Sequence, residues 1–440
     1  MRGVCLTAWG FDSPPEQILN DTKVGGNPRF FYTFMLAKYF KPALLKKIAA
    51  GAGTPVYVYS KAAFLKQIRS YKTAFRGLDP LFCYAMKANS SGALCALAAA
   101  EGWGADVVSG GELYRALRAG FPAGKIIFSG VGKLPEEMAA ALKAGILFIN
   151  AESFEEVLEL EKVAARLGKR APISLRINPD VDPHTHKFIT TGVLGGKFGV
   201  SLDEALKIYM YAAESKHLAP VGAQFHIGSQ VHAAGPYALA AGRLAAFILK
   251  LASRGVNLKY ADVGGGWGVK EGAEMADPAA LARAVADVFQ GSGLKLILEP
   301  GRSVAAPAGA LLTRVIYRKR GGNKNFVIVD AAMNDLVRPA LYGAMHPVGL
   351  IGPGKGPLKK CDVVGPVCES GDFLAEDVML REPAIGQLLA VYSAGAYGFS
   401  MSSQYNSRPR AAEVLITSPG AWRLIRRRET NKDLTAAEIQ

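Results

Sequence analysis

Lys87 closes the run Tyr84-Ala85-Met86-Lys87-Ala88-Asn89, directly after the apolar, aromatic stretch Leu81–Tyr84. That stretch reads as a buried strand, and Ser90-Ser91-Gly92 leads from it into the helical run Ala93–Ala100. A lysine at the exit of a buried strand is unusual, since its charge is rarely desolvated. Alone it reads as a solvated residue in an ordinary strand-to-helix loop. As a functional group it reads as a Schiff-base lysine, because desolvation lowers an ammonium pKa and exposes the nucleophilic amine. Other strand exits decide between the two. Arg176-Ile177-Asn178-Pro179, His226-Ile227-Gly228-Ser229-Gln230, Gly264-Gly265-Gly266 and Glu299-Pro300-Gly301-Arg302 each follow an apolar run, and Ser109-Gly110-Gly111-Glu112 follows another. Taken singly, a histidine after a strand is more often structural, and a glycine triplet more often a tight turn.

The elements that must position these residues alternate regularly. Strands are expected at Leu81–Met86, Ala105–Val108, Lys125–Ser129, Ile146–Asn150, Ile173–Asn178, Val221–His226, Tyr260–Val263 and Leu294–Glu299. Helices are expected at Gly111–Ala119, Pro135–Ala144, Ser153–Leu167, Ser201–Ser215, Tyr237–Ala252 and Pro278–Phe289. Eight near-regular repeats favour an α/β class (β/α)8 TIM-type barrel over an open doubly wound sheet. Val56–Tyr59 reads as a strand capped by Ser60 into the helix Lys61–Phe75. Beyond Arg302 the rhythm stops. Leu311–Tyr317, Phe326–Asp330, Cys361–Val367, Gln387–Ala394 and Ala411–Thr417 read as strands between Gly/Pro-rich turns, and the charged stretch Arg426–Gln440 is expected to fray. The division is a segment 1–54 contributing to the β domain, a barrel at 55–304 and a β-rich domain at 305–440. Within the first segment, Phe30–Tyr32 predicts a strand and Pro42–Ala50 a short helix.

Composition narrows the class. The chain of 440 residues is 50% hydrophobic and 20% charged, a globular balance too long for one small core. Met1–Gly10 makes a poor signal peptide, and no run of about 18 uncharged apolar residues exists; Arg243 and Lys250 interrupt the most apolar helix. Five cysteines without a CxxC argue against a disulfide framework or a zinc site and fit a reducing cytoplasm. The net charge of +15 is spread along the chain without an aromatic-interleaved basic stripe, so neither nucleic acid nor membrane is an expected partner.

In barrels of this kind, sites form at the C-terminal strand ends, with phosphate held by the loops after strands seven and eight. Gly264–Gly266 and Gly301 occupy those loops. A Schiff-base lysine, a phosphate nest, a strand-end histidine and a strand-end glutamate together describe pyridoxal 5'-phosphate (PLP). Lys87 would hold the aldehyde, and Gly264, Gly265, Gly266, Ser229 and Gly301 the phosphate. His226 would stack on the ring, and Glu299 would accept the pyridinium N–H and keep the ring an electron sink.

With these motifs the sequence from about Thr54 to Ile425 resembles the barrel-type PLP-dependent decarboxylases of basic amino acids. The resemblance rests on YAMKAN, HIGSQ, GGGWG and EPGR, with CESGD (Cys368–Asp372) and AGAYG (Ala394–Gly398). It implies further roles. Cys368 donates a proton to the substrate carbon, and Glu369 binds the distal ammonium of meso-diaminopimelate. Arg302, Arg338 and Tyr342 bind substrate carboxylate, and Arg302 also contacts the cofactor. Tyr397 lies near cofactor and substrate. The implied reaction yields L-lysine and CO2 as the last step of lysine biosynthesis, in a cytoplasmic homodimer whose sites are shared, the CESGD loop reaching in from the partner. Phe31-Tyr32-Thr33-Phe34-Met35 departs from the resembled pattern by continuing without a glycine turn. Decarboxylation of carboxynorspermidine or ornithine is the nearest rival, against which Glu369 and Arg338 argue. A racemase would not need the CESGD loop, and a catalytically inactive PLP-binding regulatory protein would not need both Lys87 and Cys368.

Overall fold

The computed structural model describes residues 38–182, 196–270 and 274–439. Eight parallel strands close into a barrel: Leu81–Ala85, Gly104–Val107, Ile126–Phe128, Phe148–Ala151, Ala171–Arg176, Leu218–Gln224, Tyr260–Asp262 and Lys295–Leu298. Closure is direct, Ile297 and Leu298 pairing with Leu81 and Phe82. The closed barrel is therefore the correct alternative, and each expected strand overlaps an observed one. The strands are legible because a parallel sheet covered by helices is buried on both faces and reads as continuous apolar runs. Cys83, Ile127, Phe148 and Ile297 form an apolar cluster separate from the main core, with Tyr260 packed on it. Serine caps recur at the helix starts: Ser60, Ser109, Ser153 and Ser201 each accept the N–H three residues on, at 3.1–3.3 Å.

The second domain is a nine-stranded sheet. An interior strand is Val56–Ser60, antiparallel to Gly309–Gly321 and parallel to Ala412–Ser418. A boundary at residue 55 assigns this strand to the barrel, whereas it pairs in the β sheet. All five of its residues are buried, so it needs a neighbour on each side, and the sheet supplies both. The helix Pro42–Ala52 packs Leu44, Leu45 and Ile48 with Val56, Val58 and Leu312 in a small core of the same domain. The expected strand at Phe30–Tyr32, and the departure at Phe31–Met35, lie outside the described residues.

Two β-domain readings need correction. Three strands escape the sequence pattern: Val348–Leu350, Phe373–Glu382 and Ala421–Arg426. Phe373–Glu382 and Ala421–Arg426 end the sheet, and edge strands carry charge instead of a continuous apolar run. Arg426–Gln440 does not simply fray. Arg426 Nε donates to the buried Glu413, Arg427 binds Asp433 twice at 2.6 Å, and Arg428 Nη2 donates to the Pro55 carbonyl at 2.7 Å. Opposite charges and carbonyls hold what composition alone reads as a solvated tail. Among the described residues, no helix is long and apolar enough to cross a membrane.

Candidate active site

Barrel strand one ends in the tight turn Met86–Ala88, which sets Lys87 at the barrel mouth. The β domain latches this turn. Asn89 Nδ2 donates to the Gly395 carbonyl (2.8 Å), and the Tyr397 N–H donates to the Ala88 carbonyl (2.7 Å). The ammonium of Lys87 meets Asp106 Oδ2 at 2.8 Å, with the carboxylate fully buried at the end of strand two. Burial works against the lysine's charge, but Asp106 and then Glu299 overcome it and hold the pKa above its ordinary value. This reverses the sequence expectation. Desolvation is present, yet the carboxylates outweigh it, so the resting lysine is an ammonium held in place.

Beneath Lys87 lies an acidic layer. Glu299, at the end of strand eight, is buried and accepts from Gln224 Nε2 at 2.9 Å. Asp262 Oδ1 accepts the Gly264 N–H at 2.8 Å. Burial and then Glu299 raise Asp262 well above the carboxylate range; burial and then Asp106 raise Glu299. Asp106 Oδ1, Asp262 Oδ2 and Gln224 Oε1 are buried without a hydrogen-bond partner. Carboxyls so crowded need a donor or a cation, and a pyridinium N–H at Glu299 is such a donor.

The glycine turn after strand seven is closely packed. A Cβ on Gly265 would stand 2.2 Å from the Glu299 carbonyl oxygen, and one on Gly266 (φ +94°) 1.8 Å from that of Gly228. Only glycine lets these backbones approach. The expected division of labour shifts here. The Gly264 amide is spent on Asp262 and the Gly265 amide on His226 Nδ1 (3.1 Å). The Gly266 and Gly301 amides have no partner among the described residues. Beside them Ser229 Oγ accepts from Arg302 Nε and Nη2 at 3.2 and 3.1 Å. Because His226 Nδ1 accepts, the ring's proton sits on Nε2. Burial, then Arg176 and Lys87, push its pKa well below the ordinary value, so it offers a flat neutral face.

Across the mouth the charge reverses. Arg302 lies over the Tyr397 ring, 4.5 Å from its centroid, with Nη1 buried and unpartnered. Tyr397 itself takes a left-handed backbone, φ 55°, unusual for a bulky residue. Arg338 Nη1 donates to His346 Nε2 at 3.0 Å, which leaves Nδ1 protonated to donate to the Tyr392 carbonyl at 2.9 Å. Burial and then Arg338 push His346 down to about 3, while burial and then Arg302 push Arg338 down to about 9. The Arg338 Nε is buried without a partner, and Tyr342, at the end of the same short helix, is half-buried. Two repelling guanidiniums with idle donors describe a site for anionic oxygen.

Cys368 and Glu369 stand apart. Both are exposed in the loop before Phe373–Glu382. The Cys368 N–H donates to Asn406 Oδ1 at 2.8 Å, and Asp372 fixes the loop by accepting the Met333 and Val367 N–H groups, each at 2.7 Å. Among the described residues, no hydrogen bond or ion pair joins either side chain to Lys87 or the arginines. Sequence reasoning missed Asp106, Asp262, Gln224 and His346. A lone carboxylate inside an apolar strand run is the signal that marks Asp106 and Asp262; His346 carries none, its role depending wholly on tertiary contact. Ser109–Glu112 proves structural, Glu112 accepting the Val108 N–H at 2.9 Å and Ser109 capping the helix.

Residues 61–306 match the family described as pyridoxal-dependent decarboxylase, pyridoxal binding domain. The chain is 48% identical over 397 residues to a diaminopimelate decarboxylase of Pseudomonas aeruginosa, covering 90% of this chain and 95% of that protein. It is 46% identical over 387 residues to the enzyme of that name from Aquifex aeolicus, covering 88% and 91%. Among solved structures, the diaminopimelate decarboxylase from Helicobacter pylori complexed with L-lysine is similar with a TM-score of 0.86 at 44% identity, over 89% of this chain and 98% of that one.

Proposed function

The chain belongs to the pyridoxal-dependent decarboxylases, and within them we propose that it converts meso-2,6-diaminopimelate to L-lysine and CO2. One observation supports the reading above the rest: an acidic layer around Lys87 faces two guanidiniums, Arg302 and Arg338, that keep buried donors idle. The first half suits a cofactor ring, and the second suits phosphate and carboxylate.

PLP, when bound, supplies the electron sink for cleavage of the C–CO2 bond. The residues of this chain do the rest. Lys87 Nζ would hold the cofactor's aldehyde, and Asp106, which pairs with the Lys87 ammonium at 2.8 Å, would hold that side chain in place when it is not so engaged. Glu299 would accept the ring N–H and favour a cationic nitrogen there, while Gln224 fixes the carboxylate. Neutral His226 would lie against the ring face. The Gly266 and Gly301 amides, Ser229 and Arg302 hold the phosphate. Arg338 and Tyr342, with Arg302, hold substrate carboxylate, and Tyr397 walls the space between cofactor and substrate. Cys368 returns a proton to the carbon that lost CO2, and Glu369 binds the distal ammonium. Both lie exposed on the β domain, which favours their serving the barrel of a second copy in a homodimer.

The test is direct. The protein incubated with PLP and meso-diaminopimelate should release CO2 and L-lysine in equal amounts. Formation of the visible cofactor absorbance without either product, or faster turnover of ornithine, would overturn the reading.

A further inference from the structure

Beside the Lys87 turn, lined by none of the residues assigned to the cofactor, lies a cavity of about 150 Å3 between barrel and β domain. Ser90 and Ser91 of the barrel and Ser400 and Ser402 of the β domain line it, together with three arginines. The arginines differ in how far they are neutralised. Arg426 pairs with the buried Glu413 and lies over the Phe399 ring, 4.7 Å from its centroid. Among the described residues Arg115 forms no ion pair; it donates to the Ser90 carbonyl at 3.3 Å, and Glu112, whose Oε2 accepts the Val108 N–H, acts on it through charge alone. Arg410 keeps Nε buried without a hydrogen bond. Glu429, the acidic side chain nearest in contact, accepts from the Arg410 backbone N–H and from Gln404, and no ion pair among the described residues joins it to a guanidinium. Ser91 precedes the helix Gly92–Ala100 without capping it by its side chain, so the helix opens with unspent amides at the same place.

We infer that this cavity is a binding site for a small tetrahedral oxyanion, of the class of inorganic phosphate or sulfate. Two cations without an ion pair among the described residues, the hydroxyls of Ser90 and Ser91 and an uncapped helix start supply charge and donors, while the Ser400 and Ser402 hydroxyls already donate to the Ala88 and Phe399 carbonyls, and an oxyanion meets that need in a charge-assisted way. The cavity has room for several waters, each needing about 10–15 Å3 of such volume, and so for a small oxyanion. The site is distinct from the one that holds the cofactor's phosphate, since that one faces Ser229 and Arg302. It is nevertheless close to the chemistry. Asn89 belongs to the cavity wall and also holds the Gly395 carbonyl, so an anion held between Ser90 and Arg410 braces the latch that positions Lys87.

The experiment uses the holoenzyme, so that the cofactor fills its own phosphate nest. Inorganic phosphate is titrated calorimetrically against chloride of equal ionic strength, and the thermal midpoint is followed in parallel. One saturable site per chain and a saturable rise in midpoint are expected, with sulfate competing. Arg115→Gln, an exposed helix-surface change, should bind about tenfold more weakly, the loss of one charge-assisted bond. Arg410→Gln should do the same, and cofactor absorbance should be unchanged in both. A non-saturating titration, or wild-type affinity in Arg115→Gln and Arg410→Gln, would overturn the assignment.

Discussion

The two rims of the barrel mouth differ in how completely one chain finishes them. On the Lys87 side, Asp106, Asp262, Glu299, Gln224 and His226 are locked by hydrogen bonds of 2.8–3.1 Å before any ligand arrives. On the β-domain side, Cys368 and Glu369 are exposed, braced through their backbone, through Asp372 and by the Gly371 N–H, which reaches Glu369 Oε1 at 3.4 Å. A cofactor site gains from preorganisation, because fixed charges cost nothing to reorient during reaction. The loop that carries Cys368 and Glu369 has no need of it within one chain if a second chain completes the enclosure. Experiments that weigh one rim against the other therefore test the division itself.

The largest effect belongs to the finished rim. Lys87→Ala should remove the visible cofactor band and reduce turnover by about a thousandfold or more, as loss of a covalent catalyst does. Borohydride labelling of another lysine would move the assignment elsewhere. Next is a test of who completes the open rim. Lys87→Ala and Cys368→Ala, each inactive, are unfolded together and refolded as a mixture. In half of the dimers one site then carries both changes and the other neither, so about a quarter of sites regain activity by symmetry. A mixture that stays inactive while wild type refolds would mean that Cys368 serves its own barrel.

Glu299→Gln should keep the cofactor and slow decarboxylation by about a hundredfold or more, since the neutral amide no longer favours a cationic ring nitrogen. A near-normal rate would remove Glu299 from that role. Glu369→Ala should leave the absorbance alone and raise the KM for diaminopimelate. The low end of the cost of unpairing a buried charge, about 2 kcal/mol or roughly thirtyfold, is expected for a residue that starts exposed.

The smallest effect is on stability. The raised pKa of Glu299 means that the folded apoprotein binds more protons than the unfolded chain just above the ordinary carboxyl range of about 4.3. Stability is therefore fully present below that pH and lost as pH rises towards neutrality. Thermal midpoints of the apoprotein should fall over this window, and Glu299→Gln should flatten the slope. A rising midpoint would contradict the acidic layer.

The same contrast explains what sequence alone made legible. The barrel was readable because each strand is a buried apolar run, and residues such as His226, Gly264 and Glu299 stand at strand exits where little else is polar. Phe373–Glu382 was not, because an edge strand exposes its charged residues and leaves no apolar period to count. In the site, Lys87 was legible by position but not by state. Its ammonium depends on Asp106, a residue nineteen positions away that only strand pairing brings within 2.8 Å. His346 was invisible for the same reason, as its tautomer is set by Arg338 and Tyr392 together.

The strand Val56–Ser60 has a consequence for synthesis. Its first sheet neighbour begins about 250 residues later and its second about 350 residues later, with the entire barrel translated in between. At about 5–20 residues per second, this short apolar strand waits on the order of 10–50 s for its first neighbour to be made. Throughout that interval both of its edges are open to any other extended chain, including a second nascent copy on the same message. The barrel is in effect an insertion within a sheet, and the ribosome must deliver the insertion before its host can close.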